Sequence, residues 1–274
     1  MLATLSPDGR HVMAPDAASP ALYLFDGVSG ERVATYPCGV HVQAGFVAAN
    51  GSRVAYGDER GFVRWADLPN GAPHELTIGA DLQVPNVALS RDGKTLVASG
   101  EDGGVRLWDL PNETPRLLGK HSSPSQPIAI SPDGQTVASG GWGQTVRFFS
   151  ITTGREIIGR GHHAPVIYLQ FSPDGKVVAT GSEDGGVGMW NVETGAGRVV
   201  LAHTPRSVRG VSFSPDGRQV VSTGEDGTLQ IWDVLLPDDN LAPTSLLATI
   251  EAATSVILDA EDRPATGARV KSRK

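Results

Sequence analysis

Cysteine is nearly missing from this chain: Cys38 stands alone among 274 residues. A single thiol can close no intramolecular disulfide and build no cysteine-based zinc cluster, a usage that fits a reducing compartment. An excess of positive charge is missing too. The 23 Lys and Arg are outnumbered by 30 Asp and Glu, for a formal net charge of −7. That balance argues against nucleic acid as a partner, since its footprint on a protein is a basic stripe. The basic residues are scattered except for Arg269, Lys271, Arg273 and Lys274, which read as a solvated tail. Long apolar runs are absent as well. None approaches the roughly 18 residues of a membrane helix, and Met1-Leu2-Ala3 leads into a repeat without a charged-then-apolar leader. The expectation is a soluble, cytoplasmic protein with no membrane partner. Its length allows roughly 70 to 75 % of the unfolded surface to be buried, so the core needs no staples.

What the chain has in plenty is glycine, 34 residues, and proline, 19 residues, and both fall at fixed positions. Ser-Pro-Asp-Gly-type turns end at Gly9, Gly51, Gly93, Gly134, Gly175 and Gly217, a period of 41 to 42 residues. A second anchor follows each turn: Phe25-Asp26, Ala66-Asp67, Trp108-Asp109, Phe149-Ser150, Trp190-Asn191 and Trp232-Asp233. The fifth unit is the clearest. It predicts strands over Val166 to Phe171, Val177 to Thr180, Val187 to Trp190 and Arg198 to Leu201, each rich in Val, Ile or aromatics and bounded by Gly, Pro or Asp. Four short antiparallel strands make one twisted sheet that cannot bury both faces by itself. Copies must therefore stack, in a line or around an axis.

Gly161-His162, Phe171 to Gly175, Phe213 to Gly217, Trp108-Asp109 and Trp232-Asp233 together resemble the WD-repeat β-propeller family, in the form of a bacterial-type array. The resemblance covers residues 1 to 237. It implies an all-β propeller of four-stranded blades with six recognisable repeats, over 1–36, 37–79, 80–120, 121–161, 162–202 and 203–237, followed by a linker and tail over 238–274. It also implies that a His, a Ser or Thr, an Asp and a Trp in one repeat form a buried hydrogen-bonded set. The fifth unit supplies His162, Thr180, Asp184 and Trp190, and the sixth His203, Ser222, Asp226 and Trp232. Ser222, His203 and Asp226 also have the residue types of a nucleophilic triad. The same constellation in register in the neighbouring unit argues for structure, because catalysis needs one copy.

Other units depart from the pattern. The third keeps Asp102 and Trp108 but has Ala98 and Ala80 at the hydroxyl and His positions. The fourth keeps His121 and Ser139, with Gly143 for the Asp and Phe149 for the Trp. The first two have neither His nor Asp in phase, and Trp65 comes one place early, so their blades are expected to be less rigid. No segment matches the nucleophile-elbow, zinc-protease or calcium-loop signatures. Gly93-Lys94-Thr95 lacks the first phosphate-loop glycine, and Gly159, Gly161 and Ala164 match a dinucleotide string by spacing alone. Along the innermost strands the comparable positions read Val42, Pro85, Gln126, Ile167 and Arg209, which is no catalytic or metal cluster. No catalytic residue, metal, cofactor or small-molecule substrate is expected.

The residue before the tetrad Asp position reads Glu59, Glu101, Trp142, Glu183 and Glu225, on the turn expected at the rim. One reading is that Glu-Asp-Gly is simply a good turn. The other is a partly acidic ring with an aromatic anchor, suited to a basic or amphipathic peptide, with Arg206 and Arg209 placed to pair with a partner carboxylate. After Trp232 the rules change. Helical spacing predicts a short helix over 245–253 followed by a strand near 255–258, with a fourth strand and the start of a seventh unit as the alternative. Either six blades close by themselves or the chain is part of a larger array. The expected function is a non-enzymatic scaffold that binds proteins or peptides. Its alternatives are a sensory segment of a larger signalling protein such as a Ser/Thr kinase, and a propeller hydrolase or oxidoreductase.

Overall fold

The computed structural model describes residues 4–6, 9–15, 20–38, 42–69, 71–112, 114–203 and 206–234. Among them the structure is all β, with no helix. Six antiparallel sheets follow one another along the chain, each a simple meander. The first holds β1 (Thr4–Leu5), β2 (His11–Pro15), β3 (Ala21–Asp26) and β4 (Arg32–Pro37). The second holds β5 (Val42–Val47), β6 (Arg53–Asp58), β7 (Phe62–Asp67) and β8 (His74–Thr77). The third holds β9 (Asn86–Leu89), β10 (Thr95–Ser99), β11 (Gly104–Asp109) and β12 (Arg116–Lys120). The fourth holds β13 (Ser125–Ile130), β14 (Thr136–Gly141), β15 (Thr145–Ser150) and β16 (Glu156–Arg160). The fifth holds β17 (Val166–Phe171), β18 (Val177–Ser182), β19 (Gly186–Asn191) and β20 (Gly197–Leu201). The sixth has three strands among the described residues: β21 (Val208–Phe213), β22 (Gln219–Gly224) and β23 (Leu229–Asp233). The helix and strand expected over 245–258 lie outside the described residues.

Position within a sheet decides composition. The second strand is covered on both faces, so β18 is buried along its whole length and its sequence, Val-Val-Ala-Thr-Gly-Ser, is small and apolar throughout rather than alternating. The fourth strand faces solvent, and β12 is accordingly Arg-Leu-Leu-Gly-Lys with no fully buried residue. The Ser-Pro-Asp-Gly turns at 131–134, 172–175 and 214–217 are built the same way. The Gly175 N–H donates to the Ser172 carbonyl at 2.9 Å, the Ser172 hydroxyl donates to the Asp174 carboxylate at 2.6 Å, and that carboxylate also accepts from the Lys176 N–H at 3.1 Å. Gly175 has φ +75°, a left-handed backbone that a side chain would strain.

The described residues fall into two compact units, one within 4–143 with 148–156 and the other within 144–147 with 157–234. In the first, apolar clusters lie between consecutive sheets: Met13, Leu24, Val54 and Tyr56 join sheets one and two. Trp65, Leu76, Leu96 and Trp108 join two and three, and Val97, Leu107, Val137 and Phe149 join three and four. In the second unit Ala179, Val187, Val208 and Val220 join sheets five and six. Close approach is secured by a glycine near the end of a second strand: a Cβ on Gly57 would strike Val84, and one on Gly181 would strike Val208.

Candidate functional site

In the fifth sheet the antiparallel register sets Thr180 opposite Gly188, and Trp190 two positions further along β19 opposite Val178. The Trp190 indole N–H donates to Thr180 Oγ1 at 2.8 Å. His162, from the loop entering the sheet, brings Nε2 within 2.8 Å of the same oxygen, and its Nδ1 lies 3.3 Å from Asp184 Oδ2. A carboxylate only accepts, so neutral His162 carries its proton on Nδ1 and accepts from the Thr180 hydroxyl at Nε2. Every buried polar group in the set then has a partner. Gly188 makes the room, since a Cβ there would overlap Thr180, Trp190 and His162. Burial pushes the His162 imidazole below its ordinary value despite the opposing pull of Asp184. Burial alone would raise the Asp184 carboxyl, but N–H donation from His163 and Gly186 outweighs it and holds the acid low. The pair is a neutral imidazole beside an ionised carboxylate.

The sixth sheet repeats the arrangement with one change. Ser222 Oγ accepts from the Trp232 indole at 2.9 Å and lies 2.9 Å from His203 Nε2. His203 Nδ1 is 3.4 Å from Asp226 and 2.9 Å from Thr228 Oγ1, whose hydroxyl donates to Asp226 at 2.7 Å. Thr228 thus relays the carboxylate to the ring. It stands where the third and fifth units have Gly104 and Gly186, which was the available signal for it. In the fourth sheet His121 Nε2 lies 2.7 Å from Ser139 Oγ, and Phe149 fills the indole position without an N–H.

Sheets two and three solve the same problem with arginine. Asp102 is paired to Arg106 through both terminal guanidinium nitrogens, at 3.0 and 2.9 Å, and these bonds hold its carboxyl below the usual range ahead of the opposing effect of burial. Asp58, fully buried, accepts from Arg64 at 2.7 Å and caps the turn through the N–H groups of Arg60 and Phe62. Arg64 also reaches Glu75 at 2.8 Å. Sequence reasoning missed both pairs, although Arg64, Arg106 and Arg147 recur at one register position. With Ala98 at the hydroxyl position, the buried Trp108 Nε1 has no partner among the described residues.

The turn joining second and third strands brings Glu59, Glu101, Trp142, Glu183 and Glu225 to one topological position, and all five are exposed. In four of the five the backbone is tied down. The N–H groups of Glu101, Trp142, Glu183 and Glu225 donate to the carbonyls of Gln83, Pro124, Pro165 and Ser207, at 3.0, 3.2, 3.0 and 2.9 Å, in the segment entering the first strand of the same sheet. The side chains differ in company. Arg209, expected to be open to a partner, instead donates to Glu225 at 2.6 Å, with Glu183 adding to the attraction. Arg206 is exposed nearby and helps to hold the Glu225 carboxyl low, after the larger effect of Arg209. Glu59 and Glu101 make no ion pair among the described residues. The fourth turn breaks the pattern three times: Trp142 replaces glutamate and is 54 % exposed, Gly143 replaces the capping aspartate, and Gln144 adopts φ +59° where Gly61, Gly103, Gly185 and Gly227 stand in the other turns. No group of three or more His, Cys, Asp or Glu is placed to hold a metal ion among the described residues.

Four stretches of the chain, residues 76–109, 118–150, 155–191 and 197–233, match the family model described as WD domain, G-beta repeat. The chain is also similar to apoptotic protease-activating factor 1 of Rattus norvegicus, 35 % identical over 68 residues that make up 25 % of this chain and 5 % of that protein. The protein of the same name from Mus musculus is 36 % identical over 56 residues, 20 % of this chain and 4 % of its own length. The chain thus matches only a small part of these curated relatives.

Proposed function

Because the chain belongs to the WD-repeat family, we propose that it is a non-enzymatic, cytoplasmic scaffold that binds a protein or peptide through the turns joining second and third strands. The observation that carries this reading is the contrast between two groups of polar residues. Thr180 and Ser222, the hydroxyls with a His and an Asp beside them, are fully buried and each accepts an indole N–H, so a substrate would have to unpack the sheet to reach them. The residues at the turn position are exposed, four of the five on a backbone anchored by hydrogen bonds, as a binding surface requires. Nucleic acid, membrane and small-molecule substrates have no comparable support.

A photo-crosslinking amino acid placed in turn at positions 59, 101, 142, 183 and 225 tests the reading. Adducts with a defined partner are expected from these positions and not from 92, 174 or 216 in the Ser-Pro-Asp-Gly turns. Adducts confined to the latter set would refute it. A second reading, that the repeats serve as a regulatory segment of a larger signalling protein, is favoured by one observation. The relatives matched are proteins of which the similar region forms 5 % or less.

A further inference from the structure

Within the first unit, sheets three and four pack on one another through Val97, Leu107, Val137 and Phe149. The segment entering the fourth sheet touches both turns: a Cβ on Gly103, two residues after Glu101, would strike the carbonyl oxygens of His121 and Ser123, and the Trp142 N–H donates to the Pro124 carbonyl. Packed sheets stand roughly 10 Å apart and an extended chain advances about 3.3 Å per residue. The two turns are therefore about three residues of extended peptide apart.

The two side chains have complementary properties that their equivalents in the second unit lack. There, Arg209 is paired to Glu225 with Arg206 close by, so that acid is already matched by cations, and no aromatic residue stands at the turn position beside it. In the first unit Lys120 and Arg106 are taken up by Asp102 and Arg64 by Asp58 and Glu75. Glu59 is followed by the exposed Arg60, while Glu101 faces solvent with no ion-pair partner among the described residues. Trp142 lies between Gly141 and Gly143, so no adjacent side chain in its own turn covers the indole. An uncovered indole attracts a cation to its ring face, and a guanidinium stacks on that face while keeping its N–H groups for a carboxylate.

We propose that Glu101 and Trp142 are two neighbouring subsites, each for one basic side chain, preferentially arginine, of an extended segment of a partner protein. This rests on the scaffold reading and narrows it to one place and one chemistry. The segment crosses from the third sheet to the fourth, with basic residues three apart meeting Glu101 and Trp142. An acidic segment is disfavoured by Glu101. A purely apolar one would leave that carboxylate unused.

The probe is a fluorescein-labelled Gly-Arg-Gly-Gly-Arg-Gly peptide, titrated against the full chain by fluorescence anisotropy beside a copy with citrulline for arginine. Binding of the arginine peptide is expected, with the citrulline peptide weaker. Trp142→Ala should reduce affinity about tenfold and Glu101→Gln about threefold, with a flatter salt dependence. Leu117→Ala, an exposed apolar control on β12, should leave it unchanged. Circular dichroism checks that each variant is folded. Failure of the arginine peptide to bind, equal binding by Trp142→Ala, or equal binding of the citrulline peptide would overturn the proposal. If the probe fails while crosslinks still map to the turn positions, the scaffold reading stands and the cation subsites fall. If both fail, both fall.

Discussion

Replacing Thr180 by valine removes one oxygen and almost no volume, so it isolates what the hydroxyl does. That oxygen accepts from Trp190 Nε1 and meets His162 Nε2, each at 2.8 Å, and Thr180 is fully buried. Thr180→Val therefore strands two buried polar groups. Each such group costs about 1–3 kcal/mol, so the expected loss is about 2–6 kcal/mol, a large share of the roughly 5–15 kcal/mol that holds a domain. Ser139→Ala is the internal standard. Ser139 Oγ also meets a histidine, His121, at 2.7 Å, but Phe149 offers no N–H to strand, so the expected loss is about 1–3 kcal/mol. Ala98→Ser runs the series backwards. Ala98 sits opposite Arg106, and Trp108 opposite Leu96, the same register as Thr180 and Trp190 on their sheet. A hydroxyl there would accept from the unpartnered Trp108 N–H and is expected to add about 0.5–1.5 kcal/mol. Urea unfolding with an unchanged denaturant slope measures all three, and hydrogen exchange along β18 and β19 locates the first. A loss for Thr180→Val smaller than that for Ser139→Ala would refute the reasoning that stranded groups set the magnitude.

Acidification should act unequally on the two kinds of sheet. His162 titrates below its ordinary 6.5 in the folded chain because of burial, so the unfolded chain binds more protons just under that value, and stability falls as pH drops below it. Asp102 is held below its ordinary 3.8 by Arg106, so its contribution is lost only as pH falls through that lower range. Hydrogen exchange from pH 7 to about 5 should therefore show protection lost in β17 to β19 before β9 to β11; simultaneous loss would refute the assignment. In the second sheet, Arg64→Met leaves the buried Asp58 carboxylate without its cation and should cost about 3–5 kcal/mol. Adding Asp58→Asn removes the stranded charge while keeping a cap for Arg60 and Phe62, and should recover more than half of that loss in the same unfolding assay.

Much of this was legible because the information is local. The fifth-unit strands begin and end within two residues of their sequence-based limits, since the turn chemistry of Ser172 to Gly175 and Glu183 to Gly186 marks them independently of tertiary context. The His, hydroxyl and indole positions could be read because three residue types recur at fixed spacing. What could not be read is how long side chains cross between strands. Arg209 and Glu225 lie on separate strand and turn segments of one sheet, and nothing in their spacing tells an internal ion pair from two residues open to a partner. The rim glutamates look alike in sequence, yet only the structure separates Glu225, held by Arg209, from Glu101.

The arginine pairs recast what looked like erosion of the repeat. In the fifth sheet the turn carboxylate Asp184 is held by His162 from the incoming loop, and a glycine, Gly188, leaves space for the ring. In the third, position 80 is alanine and the place of Gly188 is taken by Arg106, which spans to Asp102 from within the sheet. The second sheet follows the same logic from a shifted start, with Asp58 two residues before the usual acid position and Arg64 as its cation. The carboxylate at the end of the turn, fully buried in Asp58 and partly exposed in Asp102 and Asp184, is thus the feature that must be satisfied, and imidazole or guanidinium can satisfy it. Guanidinium leaves the indole of Trp108 without its hydroxyl, which is the weakness that Ala98→Ser addresses. The fourth turn has dropped the carboxylate itself, with Gly143 at its position. Without an acid to hold, that turn is released from the glutamate-aspartate-glycine pattern, and the residue it presents instead is Trp142.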